Sequence, residues 1–186
     1  PLKAFASQAL GLTNDDGVGL TGLELYYDRY LSGLNGRWIT SKDNRKNSLV
    51  YGESRYYNAE DGYSIVTTID QNIQYIVEEK VAEYLIKDKA DRVSCIVMDP
   101  NTGDILAMAQ SDEFDPNDPR APLEGDEEAF AEMTDAEKVA YWNRLWRSFC
   151  ISDTYEPGST FKIITAAAGL EEQVVTPEST FYCPGY

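Results

Sequence analysis

The chain has 186 residues, enough for one ordinary domain or a domain with an appendage, and its 42% hydrophobic content can supply a core. Thirty-two acidic against sixteen basic residues leave a formal net charge of −16, which argues against nucleic acid and against electrostatic attraction to an anionic membrane surface. No stretch approaches the roughly 18 consecutive apolar residues of a membrane span, and the sequence opens on Pro1 without a signal-peptide pattern. Cys95, Cys150 and Cys183 cannot all pair internally. None sits in a Cys-x-x-Cys pair, and a chain without histidine cannot complete a mixed zinc site.

In chain order, the first 20 residues or so are mixed and rich in Gly and Asp, and read as a loop or frayed edge. Thr21-x-x-Glu24 has the spacing of a capping box and is followed by Leu23, Tyr27, Tyr30 and Leu31 at helical spacing, with Gly33 as the stop. Residues 34–62 read as extended connections, with Arg37–Thr40 strand-like. Ser64–Ile69 is β-branched and predicts a strand. Asp70 then caps a helix to about Lys87, whose apolar face is Ile73, Ile76, Val77, Val81, Tyr84 and Leu85. Val93–Asp99, the turn Pro100–Gly103 and Asp104–Ala109 form a β-hairpin. Between Ser111 and Lys138, eleven acidic residues face Arg120 and Lys138, a local charge of −9. That acidity reads as a solvated face; the acids lack the regular spacing of a calcium loop. Within the insertion, Thr134-x-x-Glu137 is a second capping box. The stripe Val139, Trp142, Leu145, Trp146, Phe149 reads as core packing rather than a sugar-stacking platform.

Near the C-terminal end stands Thr154-Tyr-Glu-Pro-Gly-Ser159-Thr-Phe-Lys162. Pro157 and Gly158 break the preceding structure, and Ser159 opens a run of good helix formers without a breaker until Gly169. A serine in a first helical turn sits where unpaired backbone N–H groups and the positive end of the helix dipole converge. Lys162, at i+3, shares its face. Ile163–Ala168 is apolar all round and predicts a buried helix, beside which a desolvated lysine can act as a base. Without histidine, a serine nucleophile here cannot use a Ser-His-Asp relay, and lysine is the base left. Against this stands the plain alternative that Ser159 merely caps the helix and Lys162 is a solvated charge.

Tyr155-Glu-Pro-Gly-Ser-Thr-Phe-Lys162 resembles the active-site motif of the class B penicillin-binding proteins, the serine D,D-transpeptidases that cross-link peptidoglycan. Gly19–Leu31, Met98–Met108 and Phe114–Pro119 fit the same family in the same order. The resemblance implies an α+β fold, a partial penicillin-binding/serine β-lactamase-like transpeptidase fold with an antiparallel sheet and packed helices. It divides the chain into 1–60, the end of a non-catalytic pedestal or dimerisation region and linker, and 61–186, the N-terminal portion of the transpeptidase domain with the acidic insertion 111–147. It implies Ser159 as nucleophile and Lys162 as general base, no cofactor and no metal. The implied partners are stem peptides ending in D-Ala-D-Ala, β-lactam antibiotics and cell-wall glycosyltransferase or division-complex proteins. The implied location is the extracytoplasmic face of the cell membrane.

Neither Ser-x-Asn nor Lys-Thr-Gly, the family's other two motifs, occurs in the sequence. The chain therefore reads as a piece of a longer protein, inactive by itself, whose incomplete sheet calls for self-association, a strand swap or a companion chain. Two rivals to the transpeptidase reading are a β-lactam-sensing receptor domain, which should lack the helix at Thr21–Leu31, and a non-catalytic cell-wall assembly scaffold.

Overall fold

A computed structural model describes residues 4–40 and 54–185. These fall into two compact units, Pro1–Ser152 and Asp153–Tyr186.

In the first unit, the N-terminal segment is not the loop that its composition predicts. It forms a one-turn helix, α1 (Ser7–Leu10), and Ala6, Ser7, Gln8 and Leu12 are buried. Its polar groups are satisfied by distant parts of the chain. The Ala6 N–H donates to Glu78 Oε1 at 2.8 Å. Gln8 Nε2 donates to the carbonyls of Asp112 (2.9 Å) and Leu145 (3.2 Å). Ser7 Oγ accepts from the Phe114 N–H at 3.3 Å. Buried polar groups need such partners, and apart from the Ser7 hydroxyl, which also donates to Gln8 Oε1 at 3.0 Å, these lie more than 70 residues away, where no local pattern announces them.

Helix α2 (Gly22–Tyr26) follows, then α3 (Asp28–Leu31) after a break at Tyr27. Thr21 is the N-cap, but the expected capping box does not form: its side chain makes no cap hydrogen bond, and Thr21 Oγ1 is buried without a partner among the described residues. The reason is tertiary. Gly11 and Gly22, both at positive φ, bring the backbones of α1 and α2 into direct contact, and a side chain on Gly11 would run into the Thr21 carbonyl. Gly33, at φ 60°, ends α3 as expected. Strands β1 (Arg37–Thr40) and β2 (Ser54–Tyr57) pair antiparallel, with Trp38 opposite Tyr56. The rest of the 34–62 connection, residues 41–53, lies outside the described residues.

Ser64–Ile69 joins no ladder among the described residues, so the predicted strand is not formed there; Thr68 Oγ1 donates to the Ile105 carbonyl at 2.7 Å. Asp70 caps α4 (Gln71–Lys87) as predicted, accepting from the N–H groups of Asn72 and Ile73. The hairpin also forms, as β3 (Ser94–Met98) and β4 (Ile105–Gln110), in antiparallel register with Cys95 opposite Ala109. Val77 and Val81 of α4 pack on Ala107 and Ala109, flanked by Ile73, Val93, Cys95 and Val97.

The apolar face of α4 differs from the predicted one. Ile76 and Tyr84 are exposed, and Gln74 is fully buried in their stead. Gln74 Nε2 donates to the Met108 carbonyl (3.0 Å) and to Glu78 Oε1 (2.7 Å), while Gln74 Oε1 accepts from the Met108 N–H (2.8 Å). The side-chain amide thus pairs with the edge of β4 that faces away from β3, in the place of a neighbouring strand.

The acidic insertion carries α5 (Glu127–Glu132) and α6 (Asp135–Trp146), followed by α7 (Phe149–Ser152). The Thr134–Glu137 capping box is complete. The acids lie over a second core: Leu12, Phe114, Tyr141 and Leu145, with Phe130, Trp142 and Trp146 packed against it. Core packing therefore holds for Leu145 and the two tryptophans, whose rings stack at 6.3 Å and whose indole N–H groups donate to the Arg120 and Pro119 carbonyls. Val139 is exposed, and Phe149 belongs to α7 instead. Glu113 sits half-buried within reach of Glu78, and burial, with repulsion from Glu78 second, raises its pKa to about 8.

Candidate active site

The second unit holds the Ser-x-x-Lys segment. Pro157 is in the right-handed helical region, and Gly158, at φ 55°, takes a conformation that other residues resist. A 3-10 turn then spans Gly158–Phe161 and passes directly into α8 (Lys162–Glu171). Ser159 lies inside that turn, and Lys162 is the first residue of α8. The Lys162 N–H donates to the Ser159 carbonyl, so the two residues are one 3-10 turn apart. In 3-10 geometry side chains at i and i+3 eclipse, which brings the two onto one side of the chain. Ser159 is also among the first-turn residues whose N–H groups lack an intrahelical partner.

Two expectations about this helix are not met. Ile163 and Ile164 are 74% and 60% exposed, and no residue of α8 is buried. Lys162 is exposed as well, not set beside a buried helix face as expected. An apolar sequence states what a helix can bury; burial itself requires a covering element from elsewhere. Nor does Gly169 end the helix, which runs on to Glu171. Gly169 serves a close approach instead: its carbonyl accepts from the N–H groups of Val174 and Val175, and a Cβ there would lie 2.9 Å from Val175 Cγ2. A turn over Thr176–Ser179 follows, closed by the Ser179 N–H donating to the Thr176 carbonyl at 3.0 Å.

Elsewhere, the first unit has an apolar cleft of about 690 Å³ lined by Leu20, Thr21, Leu23, Ile65, Ile105 and Ile151, among others. It contains neither candidate catalytic residue. Cys95, Cys150 and Cys183 are free thiols, and burial raises the pKa of Cys150. Among the described residues, no group of three or more His, Cys, Asp and Glu could hold a metal ion, and no helix is long and apolar enough to cross a membrane.

Residues 93–186 match the family described as the penicillin binding protein transpeptidase domain. Over its full length the chain is 33% identical to the stage V sporulation protein D of Bacillus subtilis, of which it spans 26%. It is 28% identical over 96% of its length to the peptidoglycan D,D-transpeptidase FtsI of Escherichia coli, spanning 27% of that protein. The fold matches the crystal structure of penicillin-binding protein 3 from Mycobacterium tuberculosis in complex with aztreonam, with a TM-score of 0.68 and 28% identity, over all of this chain and 34% of that one. The chain thus spans about a quarter of the curated relatives it matches. Its matched half includes both the β3–β4 hairpin and the Ser159-x-x-Lys162 turn. On this evidence the chain belongs to the penicillin-binding protein transpeptidase family, among the class B proteins.

Proposed function

We propose that the protein to which this chain belongs is a peptidoglycan D,D-transpeptidase acting through a serine acyl-enzyme. The observation that carries the reading is the direct passage of the Gly158–Phe161 turn into α8, which sets Ser159 and Lys162 one turn apart at a helix start. Ser159 Oγ attacks the penultimate D-Ala carbonyl of a stem peptide as Lys162 Nζ takes its proton, and the bond to the terminal D-Ala breaks. The amine of a neighbouring stem then attacks the acyl-enzyme, forming the cross-link and releasing Ser159. β-Lactams acylate Ser159 in the same way. Covalent catalysis of this kind splits one hard step into two easier ones, and a positioned base typically contributes ~10²–10⁴-fold.

Residues 1–60 are read as the end of a pedestal and 61–186 as the N-terminal portion of the transpeptidase domain, on the extracytoplasmic face of the membrane. The chain alone is expected not to turn over. Its sequence holds neither Ser-x-Asn nor Lys-Thr-Gly, and loss of one oxyanion-hole donor alone costs ~10²–10³ in rate. Release of D-Ala from a pentapeptide substrate by the full-length protein tests the reading. Ser159→Ala should abolish release and Lys162→Ala should cut it ~10²-fold or more. Undiminished release by both variants would refute it, whereas a full-length protein that binds penicillin covalently but releases no D-Ala would favour the β-lactam-sensing alternative.

A further inference from the structure

Two buried glutamines hold the backbone that precedes the Ser159 segment. α6 ends at Trp146 and α7 begins at Phe149, with Arg147 extended between them. A break between helices leaves backbone groups without intrahelical partners, and here distant side chains satisfy them. Gln110, the last residue of β4, is buried. Its Nε2 donates to the Arg147 carbonyl at 3.0 Å, and its Oε1 accepts from the Phe149 N–H at 2.9 Å. Two bonds from one planar amide fix orientation as well as distance. Gln8 of α1 donates to the Leu145 carbonyl just upstream. The Cys150 thiol donates to the Ala109 carbonyl of β4 at 3.6 Å, and the Arg147 guanidinium donates to the Ser152 carbonyl at 2.7 Å, closing the end of α7.

The place of this clamp in the chain gives it a consequence beyond stability. Phe149 and Cys150 are the last residues before Ser159 that are even partly buried; residues 151–160 are exposed, and 153–157 have no regular structure. The clamp lies where the buried part of the chain gives way to the exposed stretch that leads to the nucleophile. A misplacement of about 1 Å at the reacting atoms can cost ~10²-fold in rate. We propose that Gln110 is a positioning residue for acyl transfer, fixing the backbone at Arg147 and Phe149 from which the Ser159 segment departs. Gln110 acts through the chain and not on the substrate, and the inference rests on the acyl-transfer reading. Gln74 supplies the comparison. It is equally buried and its amide also pairs with the β4 backbone, but from α4, so its bonds hold that helix and not the stretch before Ser159.

The test is the time course of labelling of the full-length protein by a saturating fluorescent penicillin. Three variants are compared with the unsubstituted protein: Gln110→Met, which keeps the bulk and drops both bonds; Gln110→Glu, which keeps an acceptor for the Phe149 N–H; and Gln74→Leu. In Gln110→Met the first-order acylation rate constant should fall at least about tenfold while the fraction labelled at completion stays the same. Gln110→Glu should fall less, but by more than about twofold. Gln74→Leu should lower the melting temperature and leave the rate constant within about twofold. Loss of stability alone does the reverse: the labelled fraction falls, and the folded molecules react at the unchanged rate. Such unchanged rate constants in the Gln110 variants overturn the proposal, as does equal slowing in Gln74→Leu. Should Gln110→Met not fold, the rate constant of Gln110→Glu decides by the same criterion. Absence of label on the unsubstituted protein is a different result, which overturns the acyl-transfer reading and this inference with it.

Discussion

Gln74, fully buried in α4, ties that helix to β4. Its amide makes two bonds to the Met108 backbone and a third to Glu78, whose carboxylate in turn receives the Ala6 N–H. Gln74→Leu keeps much of the bulk but leaves the buried edge of β4 unpaired. Each such orphaned group costs roughly 1–3 kcal/mol, so a loss of about 2–4 kcal/mol is expected in urea unfolding; a change within about 0.5 kcal/mol would show that water or backbone shifts replace the amide. This residue was not legible in the sequence. A glutamine at a core-facing helical position looks like surface, and its partner lies 34 residues on. Glu113 gives a second residue-scale expectation. Its carboxyl is raised from 4.5 to about 8 in the fold, by burial first and Glu78 second. The folded state therefore holds a proton that the unfolded state releases, and stability should fall as pH rises from about 4.5 to 8. Glu113→Gln should flatten that slope in melting temperatures measured across the range. An unchanged slope would assign it to other groups.

At the level of elements, what the sequence made legible is what short range decides. The Asp70 cap, the Thr134–Glu137 box and the Pro100–Gly103 turn each involve neighbours within a few residues, and each forms where the pattern predicts. The Thr21 box has the same spacing and fails, because contact between the Gly11 and Gly22 backbones sets the Thr21 region. Ser64–Ile69 has strand composition, but a strand needs a ladder partner and none is present among the described residues. α8 has the composition of a buried helix and is exposed for the same kind of reason. Open apolar faces of this sort favour association. β3 also pairs only with β4 among the described residues, leaving its other edge without a ladder. The chain should therefore show concentration-dependent self-association in sedimentation velocity. A single monomeric species across the concentration range, with cooperative melting, would contradict this.

For the molecule as a whole, the family could be read from the sequence, and so could the turn that holds the two candidate catalytic residues, since a Pro-Gly break, a serine and a lysine at i+3 occupy six consecutive residues. Their chemical setting could not. The serine and lysine share a turn, but what would desolvate Lys162 and complete the oxyanion site is not decided by that turn. The N-terminal segment shows the converse: Ser7 and Gln8 have no local signature and are among the most buried polar residues of the chain. The measurement that bears most directly on the central claim is the intact mass of the full-length protein after incubation with a penicillin, followed by peptide mapping, beside Ser159→Ala. The account predicts one adduct per chain, on the peptide containing Ser159, and none in the variant. An adduct that survives Ser159→Ala, or none on the unsubstituted protein, would contradict it.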